Sequence, residues 1–239
     1  MDRHRPSAFQ TYVGRDNEPI RKGFNGLLDF FEANIKFPNT VCVTGKPGTG
    51  KTSFCNTLIN GLVSGLGIDR NIEYKWVMRV QCKGMDSRKI DELWTKINNF
   101  GSRGEDKEIP CQWRVVFLDD FHTVPIPSQM NFKQIMEQQA YKLRFIIVTK
   151  SVGKLAGYIE QRLSPSQTYE VRPIQMQHGL HILLNILYKN KVGYNREGLE
   201  ELFKRNKNMD MSTIIDTAQE IFLTRTFISK EEVIRVVSA

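Results

Sequence analysis

Gly45-Lys46-Pro47-Gly48-Thr49-Gly50-Lys51-Thr52 is the stretch that decides the fold of this 239-residue chain. It matches the phosphate-loop pattern G-x-x-x-x-G-K-[ST], and its context fits, because an apolar run at 41–43 leads in and a helical pattern at 53–62 leads out. Glycines let backbone N–H groups turn inward around phosphate oxygens, and the N-terminus of the next helix adds partial positive charge. The stretch therefore predicts a buried strand, a loop and a helix that bind a nucleotide.

The side chains of this loop indicate the ligand and its metal. Lys51 is expected to reach the β- and γ-phosphates and to act in catalysis, and the Thr52 hydroxyl is expected to ligate Mg²⁺. ATP and Mg²⁺ are thus the expected cofactors. The predicted nucleotide contacts within the loop are Gly45, Lys46, Pro47, Gly48, Thr49, Gly50, Lys51, Thr52 and Ser53.

A magnesium site needs a second anchor at the end of a neighbouring buried strand. The apolar run 115–118 provides one, because it ends in Asp119 and Asp120. Asp119 is expected to hold Mg²⁺, usually through water. Asp120 stands where a carboxylate polarises the attacking water, and we assign it a catalytic role.

The apolar pattern along the rest of the chain predicts an α/β domain followed by helices. Apolar runs at 41–43, 115–118 and 145–148, and a further strand pattern at 74–80, alternate with helical patterns at 16–36, 53–62 and 87–100. Such runs are typical of a parallel sheet covered on both faces. Strand signals stop near residue 174, and four helical stripes follow. We therefore predict a nucleotide-binding domain over 1–173 and a helical lid over 174–239.

Composition and charge indicate which cellular environment and which class of partner to expect for this chain. The formal net charge of +8 favours a polyanionic partner, nucleic acid before membrane. No run of apolar residues is long enough to span a bilayer, and nothing at the start resembles a signal peptide. The four cysteines are scattered and form no zinc pattern, which favours free thiols in a reducing compartment. An intracellular protein without a membrane partner is expected.

Outside the loop, further motifs lie in order along the chain at 3–6 with Phe9 and 13–15, then 37–39, 86–91, 129–137, 144–163 and 209–219. Together with the loop, they resemble the small subunits of replication factor C, the clamp loaders within the AAA+ ATPases. The resemblance implies an α/β AAA+ P-loop NTPase fold, with a parallel five-stranded sheet flanked by helices and a small helical lid domain. It ends with the lid, and we find no counterpart of the family's C-terminal collar.

The resemblance also assigns roles to residues outside the loop. Arg162 stands where the family has the arginine finger that reaches a neighbouring subunit's γ-phosphate, so it is a predicted catalytic residue. Lys150 takes the position of the sensor-1 asparagine, and Ser212 that of the sensor-2 arginine; both are predicted nucleotide contacts. The family's opening segment wraps the adenine, which adds these nucleotide-binding candidates: Arg5, Pro6, Val13 and Gly14.

Three of these positions depart from the family pattern. Asp120 replaces a glutamate and is one methylene shorter, so water activation is expected to be slower. Lys150 is a cation and cannot accept a hydrogen bond from the attacking water. Ser212 lacks the positive charge with which the family's lid arginine contacts phosphate. ATPase activity is expected, though weakened by these substitutions.

In the family, two helices follow the phosphates of one DNA strand without reading its sequence. The corresponding cations here, the predicted DNA-binding residues, are Lys83, Arg88, Lys89 and Lys133. Lysine and arginine side chains bind phosphates and release counterions. On the second helix, Gln134 stands where the family has an arginine. Lys83 and Lys89 stand where the family has uncharged residues.

The resemblance implies a clamp-loader-type ATPase that acts in DNA replication on primer–template DNA. Its expected partners are DNA, a sliding clamp and other AAA+ clamp-loader subunits in a hetero- or homo-oligomer. The expected location is nuclear if the source is eukaryotic, or a viral replication compartment. Two alternatives remain open: a non-hydrolysing ATP-binding interaction subunit of a replication assembly, and an initiator- or transposition-type AAA+ ATPase.

Overall fold

The computed structural model describes residues 18–34, 36–104, 106–206, 210–225 and 227–238. The chain divides into two compact units. The first, here called the sheet unit, comprises Ile20–Gly45 and Lys51–Glu170. The second, the helical unit, contains Lys46–Gly50, the described residues from Val171 onward, and Glu18 and Pro19.

The sheet unit is built on five parallel strands in the order β2-β3-β4-β1-β5. The strands are β1 (Thr40–Thr44), β2 (Val77–Gln81), β3 (Arg114–Asp119), β4 (Leu143–Val148) and β5 (Thr168–Glu170). The parallel five-stranded sheet expected from the sequence is confirmed. β1 and β3 are buried along their whole length, which explains their unbroken apolar pattern.

The second strand begins later than its apolar pattern suggests. Glu73–Lys75 forms a 3₁₀ turn, closed by the Trp76 amide donating to the Glu73 carbonyl at 2.9 Å. The Lys75 ammonium pairs with Asp106 and with Glu108. The start of the strand predicted at Tyr74 is therefore wrong by three residues, because these ion pairs and the turn take the chain before Val77.

Five helices belong wholly or mainly to this unit. They are α1 (Glu18–Asn34), α2 (Lys51–Gly65), α3 (Ser87–Ser102), α4 (Gln129–Gln138) and the short α5 (Gly157–Glu160). α3 begins at a capping residue, Asp86, whose carboxylate accepts from the Lys89 amide at 2.9 Å. Its apolar residues recur at helical spacing and are buried, as the sequence predicts: Ile90, Leu93, Trp94, Ile97 and Phe100.

One face of the sheet packs against α3 and α4. Phe132 of α4 is fully buried at the centre of this layer. Its ring stacks on Trp94 with centroids 5.5 Å apart, and lies 4.9 Å from Phe121 and 5.1 Å from Phe145. Aromatic pairs of this geometry add to the stability of the area they bury. Since α4 is anchored here, its opposite side is left at the surface.

The other face of the sheet is covered by α1 and α2. Phe24 of α1 lies edge-on to Phe54 of α2, with centroids 5.9 Å apart, and to Tyr169 of β5 at 4.7 Å. Strand side chains alternate between faces, so β1 contributes Cys42 to one layer and its neighbours to the other. Cys42, Cys55 and Cys82 are buried free thiols, and burial raises the pKa of Cys42 and of Cys82 to about 12.

The helical unit has a core of its own. Its elements are α6 (Met176–Lys189), β6 (Gly193–Tyr194), α7 (Arg196–Arg205), α8 (Met211–Arg225), β7 (Phe227–Ile228) and α9 (Lys230–Ser238). Its buried centre includes Leu187, Leu202, Phe203, Ile221 and Val233. β6 and β7 form a two-residue parallel pair that the sequence analysis does not anticipate. Among the helices of the described residues, none is long and apolar enough to cross a membrane.

Phe132→Ala should lower the free energy of unfolding by about 3–5 kcal/mol, because it leaves a cavity between three aromatic rings. Chemical denaturation monitored by circular dichroism measures this loss. Tyr141→Ala provides the control, since Tyr141 follows α4 but is 90% exposed and should change stability by less than about 0.5 kcal/mol. A loss below about 1 kcal/mol for Phe132→Ala would contradict this account of the core.

Candidate functional site

The carboxyl ends of the parallel strands meet at one edge of the sheet, and the predicted site residues of the sheet unit lie along this edge. β1 runs into the phosphate loop, β3 ends at Asp119, and β4 leads to Lys150. The Gly45 amide donates to the Lys150 carbonyl at 3.3 Å, so the start of the loop is tied to the end of β4. The strand order places β4 between β1 and β3.

The loop backbone needs its glycines. Gly48 has φ of 71° and Gly50 has φ of 89°, both in the left-handed region that residues with a Cβ rarely enter. The Thr49 hydroxyl donates to the Lys46 carbonyl at 2.9 Å and closes the loop on itself. Lys51 is the first residue of α2 and is only 8% exposed. The sequence expectation of a strand, a loop and a helix N-terminus is confirmed.

Thr52 and Asp119 come together as the sequence predicts. The Thr52 hydroxyl donates to a carboxylate oxygen of Asp119 at 2.8 Å, across 67 residues of chain. The other oxygen accepts from the Asp120 amide at 3.0 Å. Burial raises the pKa of the Asp119 carboxyl above its ordinary value, and the hydrogen bond from Thr52 opposes this shift. The pair is thus a buried carboxylate beside a hydroxyl.

Asp120 follows directly, with a backbone unusual for a side-chain-bearing residue. Its φ is 51° and its ψ is 36°, in the left-handed region that aspartate tolerates better than most residues. Its carboxylate accepts a hydrogen bond from the Gln81 side-chain amide at 3.1 Å. Gln81 stands at the end of β2, in register with Asp119. Gln81 is not among the site residues predicted from the sequence, although a polar residue that ends a strand beside β3 is a signal for this position.

Lys150 has an exposed side chain and contributes its backbone carbonyl to the loop contact. Ser212 belongs to the helical unit, where its amide donates to Asp210 at 2.9 Å in the first turn of α8. The remaining adenine-contact candidates lie outside the described residues: Arg5, Pro6, Val13 and Gly14.

Arg162 lies just beyond α5 at the surface of the sheet unit. Its guanidinium donates to the Tyr158 carbonyl at 2.8 Å and forms an ion pair with Glu137 of α4. Its side chain remains 34% exposed. The predicted finger is therefore at the surface, and it is held by its own chain through contacts that the sequence analysis did not foresee.

The predicted DNA-binding cations lie around the start of α3 and on α4. Lys83, Arg88 and Lys89 are exposed and Lys133 is half-buried. Arg88 pairs with Glu92 at 3.3 Å and Lys89 with Asp86 at 3.7 Å, both with highly exposed side chains. An open groove of about 310 Å³ runs between α3 and α4. Its lining includes Asn98, Asn131, Gln134 and Gln138.

Comparison with known proteins places this geometry in a family. Residues 41–169, more than half of the chain, match the family described as "ATPase family associated with various cellular activities (AAA)". Replication factor C subunit 3 of Schizosaccharomyces pombe is 21% identical over 180 residues, which cover 74% of this chain and 47% of that protein. The chain thus spans about half the length of the curated relative it matches.

Solved structures share the fold at low sequence identity. The Thermotoga maritima RuvB Holliday junction branch migration motor superposes with a TM-score of 0.69 at 14% identity, covering 98% of this chain and 72% of that one. A point mutant of the same motor gives a TM-score of 0.70 at 13% identity, with the same coverage. Together with the phosphate loop and the Thr52–Asp119 pair, the family match is decisive. The chain belongs to the AAA family of ATPases, and residues 41–169 form its nucleotide-binding ATPase domain.

Proposed function

We propose that the chain is an ATP-hydrolysing, clamp-loader-type subunit acting in DNA replication. It binds ATP with Mg²⁺ and primer–template DNA within an oligomer of AAA+ subunits, and it loads a sliding clamp. The observation that carries the ATPase part is the partly buried Thr52–Asp119 contact at the start of the helix that follows the phosphate loop. Clamp loading, among the roles of this family, is supported by the similarity to replication factor C subunit 3.

The residues at the loop fit Mg²⁺. The ion prefers hard oxygen ligands and is commonly held by one or two carboxylates together with substrate phosphates. Thr52 supplies a hydroxyl and Asp119 a buried carboxylate whose ionisation burial disfavours, which is the environment that a cation stabilises. Bound there, Mg²⁺ would supply neutralisation of charge on the phosphate oxygens. Among the described residues, no group of three or more His, Cys, Asp or Glu side chains offers a denser metal site.

Asp120 and Gln81 would handle the attacking water. In hydrolysis, water oxygen bonds to the γ-phosphorus while the bond to the β–γ bridging oxygen breaks. Asp120 lies next to the metal-site carboxylate and accepts the proton that the water releases. Gln81 holds one oxygen of Asp120 at 3.1 Å, which fixes the direction in which the short side chain points. Lys51, at the start of α2, would neutralise charge on the phosphates.

Arg162 would complete the site of a neighbouring subunit. Its position at the surface is compatible with donation to a second chain's γ-phosphate, where a planar guanidinium binds two phosphate oxygens at once. Arginine fingers supplied by a second chain accelerate phosphoryl transfer by about 10³–10⁵-fold.

Primer–template DNA would lie along α3 and α4. The cations around the start of α3 and on α4 bind phosphates, and the groove between the helices adds four amide side chains beside one carboxylate, Asp91. The exposed pairs that Arg88 and Lys89 make with carboxylates are weak, so a polyanion displaces them easily. A protein with this role resides where DNA is replicated, in a nucleus or a viral replication compartment.

A second candidate is an ATP-binding interaction subunit that does not hydrolyse. Three features of the chain favour it: the short Asp120 side chain engaged by Gln81, the cationic Lys150 at the position of the family's sensor-1 asparagine, and the uncharged Ser212 at the position of its sensor-2 arginine. In this case ATP stiffens the fold and sets an interface. Binding without turnover, with DNA and partner subunits present, would identify it.

Asp119→Asn should reveal the metal site through stability. The raised pKa means that ionised Asp119 costs stability in the metal-free protein, and this cost grows as pH rises from below the ordinary aspartate pKa through the folded-state pKa. Without Mg²⁺, the variant should therefore be at least as stable as wild type at pH 7, with the difference shrinking below about pH 4. With Mg-ATP, only wild type should gain a large increase in melting temperature.

Differential scanning fluorimetry across pH, with and without Mg-ATP, measures both effects. Asp91→Asn removes an exposed carboxylate and controls for the change in net charge. An equal Mg-ATP shift in wild type and Asp119→Asn would remove Asp119 from the metal site.

Two inactive variants should restore each other's activity when they are mixed. Lys51→Ala abolishes nucleotide binding but retains Arg162, whereas Arg162→Ala binds ATP but should lose turnover by a factor on the order of 10³. A mixture should regain ATPase activity in the presence of primed DNA, because the first chain supplies a finger to the second. Steady-state phosphate release measures this recovery. A different result would favour the non-hydrolysing candidate: Arg162→Ala binds nucleotide, but neither the wild-type protein nor any mixture of variants hydrolyses ATP.

Removal of the cations should weaken DNA binding in a salt-dependent way. The double variant Lys83→Gln/Lys133→Gln should bind primed DNA less tightly, and its slope of log affinity against log salt should fall by about 0.9 for each lost duplex phosphate contact. Fluorescence anisotropy over a salt series gives the slope. The control is the double variant Lys107→Gln/Lys142→Gln, which loses the same charge at exposed positions outside α3 and α4. Equal effects of both doubles would refute a specific DNA face.

A further inference from the structure

The cluster around Arg162 contains more than a finger. Its guanidinium makes two contacts within its own chain: one amino group donates to the Tyr158 carbonyl at 2.8 Å, and the other is paired with the Glu137 carboxylate. Arg162 is separated from Glu137 by 25 residues, so the pair is a tertiary contact between α4 and the segment after α5. This arrangement points the guanidinium at its own subunit.

Tyr158 fixes the other side of this cluster. Its hydroxyl donates to the Ile126 carbonyl at 3.3 Å, and the Lys133 ammonium lies 5.8 Å from the centre of its ring. Lys133 precedes Glu137 by four residues on α4, so both side chains lie on one face of the helix. The helix that carries a predicted DNA contact therefore also carries the partner of the finger.

We infer that Glu137 is a positioning residue that holds Arg162 against its own subunit until a neighbouring subunit's nucleotide replaces the carboxylate. The inference rests on the proposed function of Arg162 in a second subunit's site. Glu137 touches neither nucleotide nor water in this scheme and acts only through Arg162. Because α4 carries Lys133 as well, a polyanion bound at Lys133 acts on the element that restrains the finger.

The exposure of the pair sets how strong the restraint is. Arg162 and Glu137 side chains are 34% and 50% exposed, so water competes for both groups. Exposed ion pairs of this kind change an equilibrium by about two- to five-fold. A triphosphate offers several charged oxygens that bind a guanidinium more strongly than one carboxylate does. The contact is therefore weak enough for a bound nucleotide to break and strong enough to bias the resting orientation.

Glu137→Gln provides the test, with Glu160→Gln as the matched control. Glu160 is an exposed carboxylate two residues from Arg162, while the ion-pair partner of Arg162 among the described residues is Glu137. In the isolated full chain, the Arg162 guanidinium signal in arginine-labelled NMR spectra, assigned by its loss in Arg162→Lys, should shift with Glu137→Gln and stay unchanged with Glu160→Gln. An Arg162 signal that does not respond to Glu137→Gln overturns the inference.

The mixed ATPase assay then separates positioning from a general effect on the fold. Glu137→Gln placed in the finger donor, which carries Lys51→Ala, should raise turnover by about two- to five-fold before DNA is added. DNA stimulation should fall by the same factor, because the restraint is already gone. The same substitution in the site donor, which carries Arg162→Ala, should have no effect, since no finger remains to be held.

Equal effects in both partners, or the same effect from Glu160→Gln, overturn the inference and leave the proposed function standing. A complete absence of turnover in every mixture has a different meaning. It contradicts the finger in a second subunit, and the positioning role of Glu137 falls with it.

Discussion

The hydrogen bond between Thr52 and Asp119 is the contact on which the rest of the site depends. It joins the first turn of α2 to the end of β3 at 2.8 Å, although 67 residues separate the two side chains. The contact forms because β1, β4 and β3 are parallel neighbours in register, with Val43 opposite Val148 and Leu118 opposite Ile147. Ligand sites of such sheets lie at the carboxyl ends of the strands for this reason.

Contacts at the carboxyl-terminal edge of the sheet stabilise two unusual residues of the site, the buried Asp119 and the left-handed Asp120. Burial disfavours the charge on Asp119, and a hydroxyl and a backbone amide partly offset this cost. Asp120 is shorter than the glutamate of the family that the sequence resembles, but Gln81 and a left-handed backbone direct its carboxylate. A polar residue at the end of one strand thus supports the catalytic candidate at the end of the next.

The ion pairs of the surface cations in the sheet unit are weaker than the contacts around the buried Asp119 carboxylate. Arg88, Lys89 and Arg162 each have a carboxylate partner, and in each pair both groups remain exposed to water. Such pairs contribute little to stability and exchange readily with phosphates. The proposed exchange of these cations between carboxylates and a polyanion requires weak surface pairs of this kind. α4 contributes Glu137 to the pair that holds Arg162, the proposed finger.

The sequence by itself determined the parts of this protein that depend on local chain geometry. Spacing and residue type predict four of these parts: the loop 45–52, the strand ending in Asp119, the amphipathic α3 and the helical end of the chain. They can be predicted because residues adjacent in the sequence set a strand, a loop or a helix N-terminus. Only the tertiary structure decided the rest. β5 has three residues at the sheet edge with little apolar pattern, and the turn at Glu73–Lys75 depends on carboxylates more than 30 residues away. The Gln81–Asp120 and Glu137–Arg162 contacts join residues 39 and 25 positions apart, so no local pattern could have paired them.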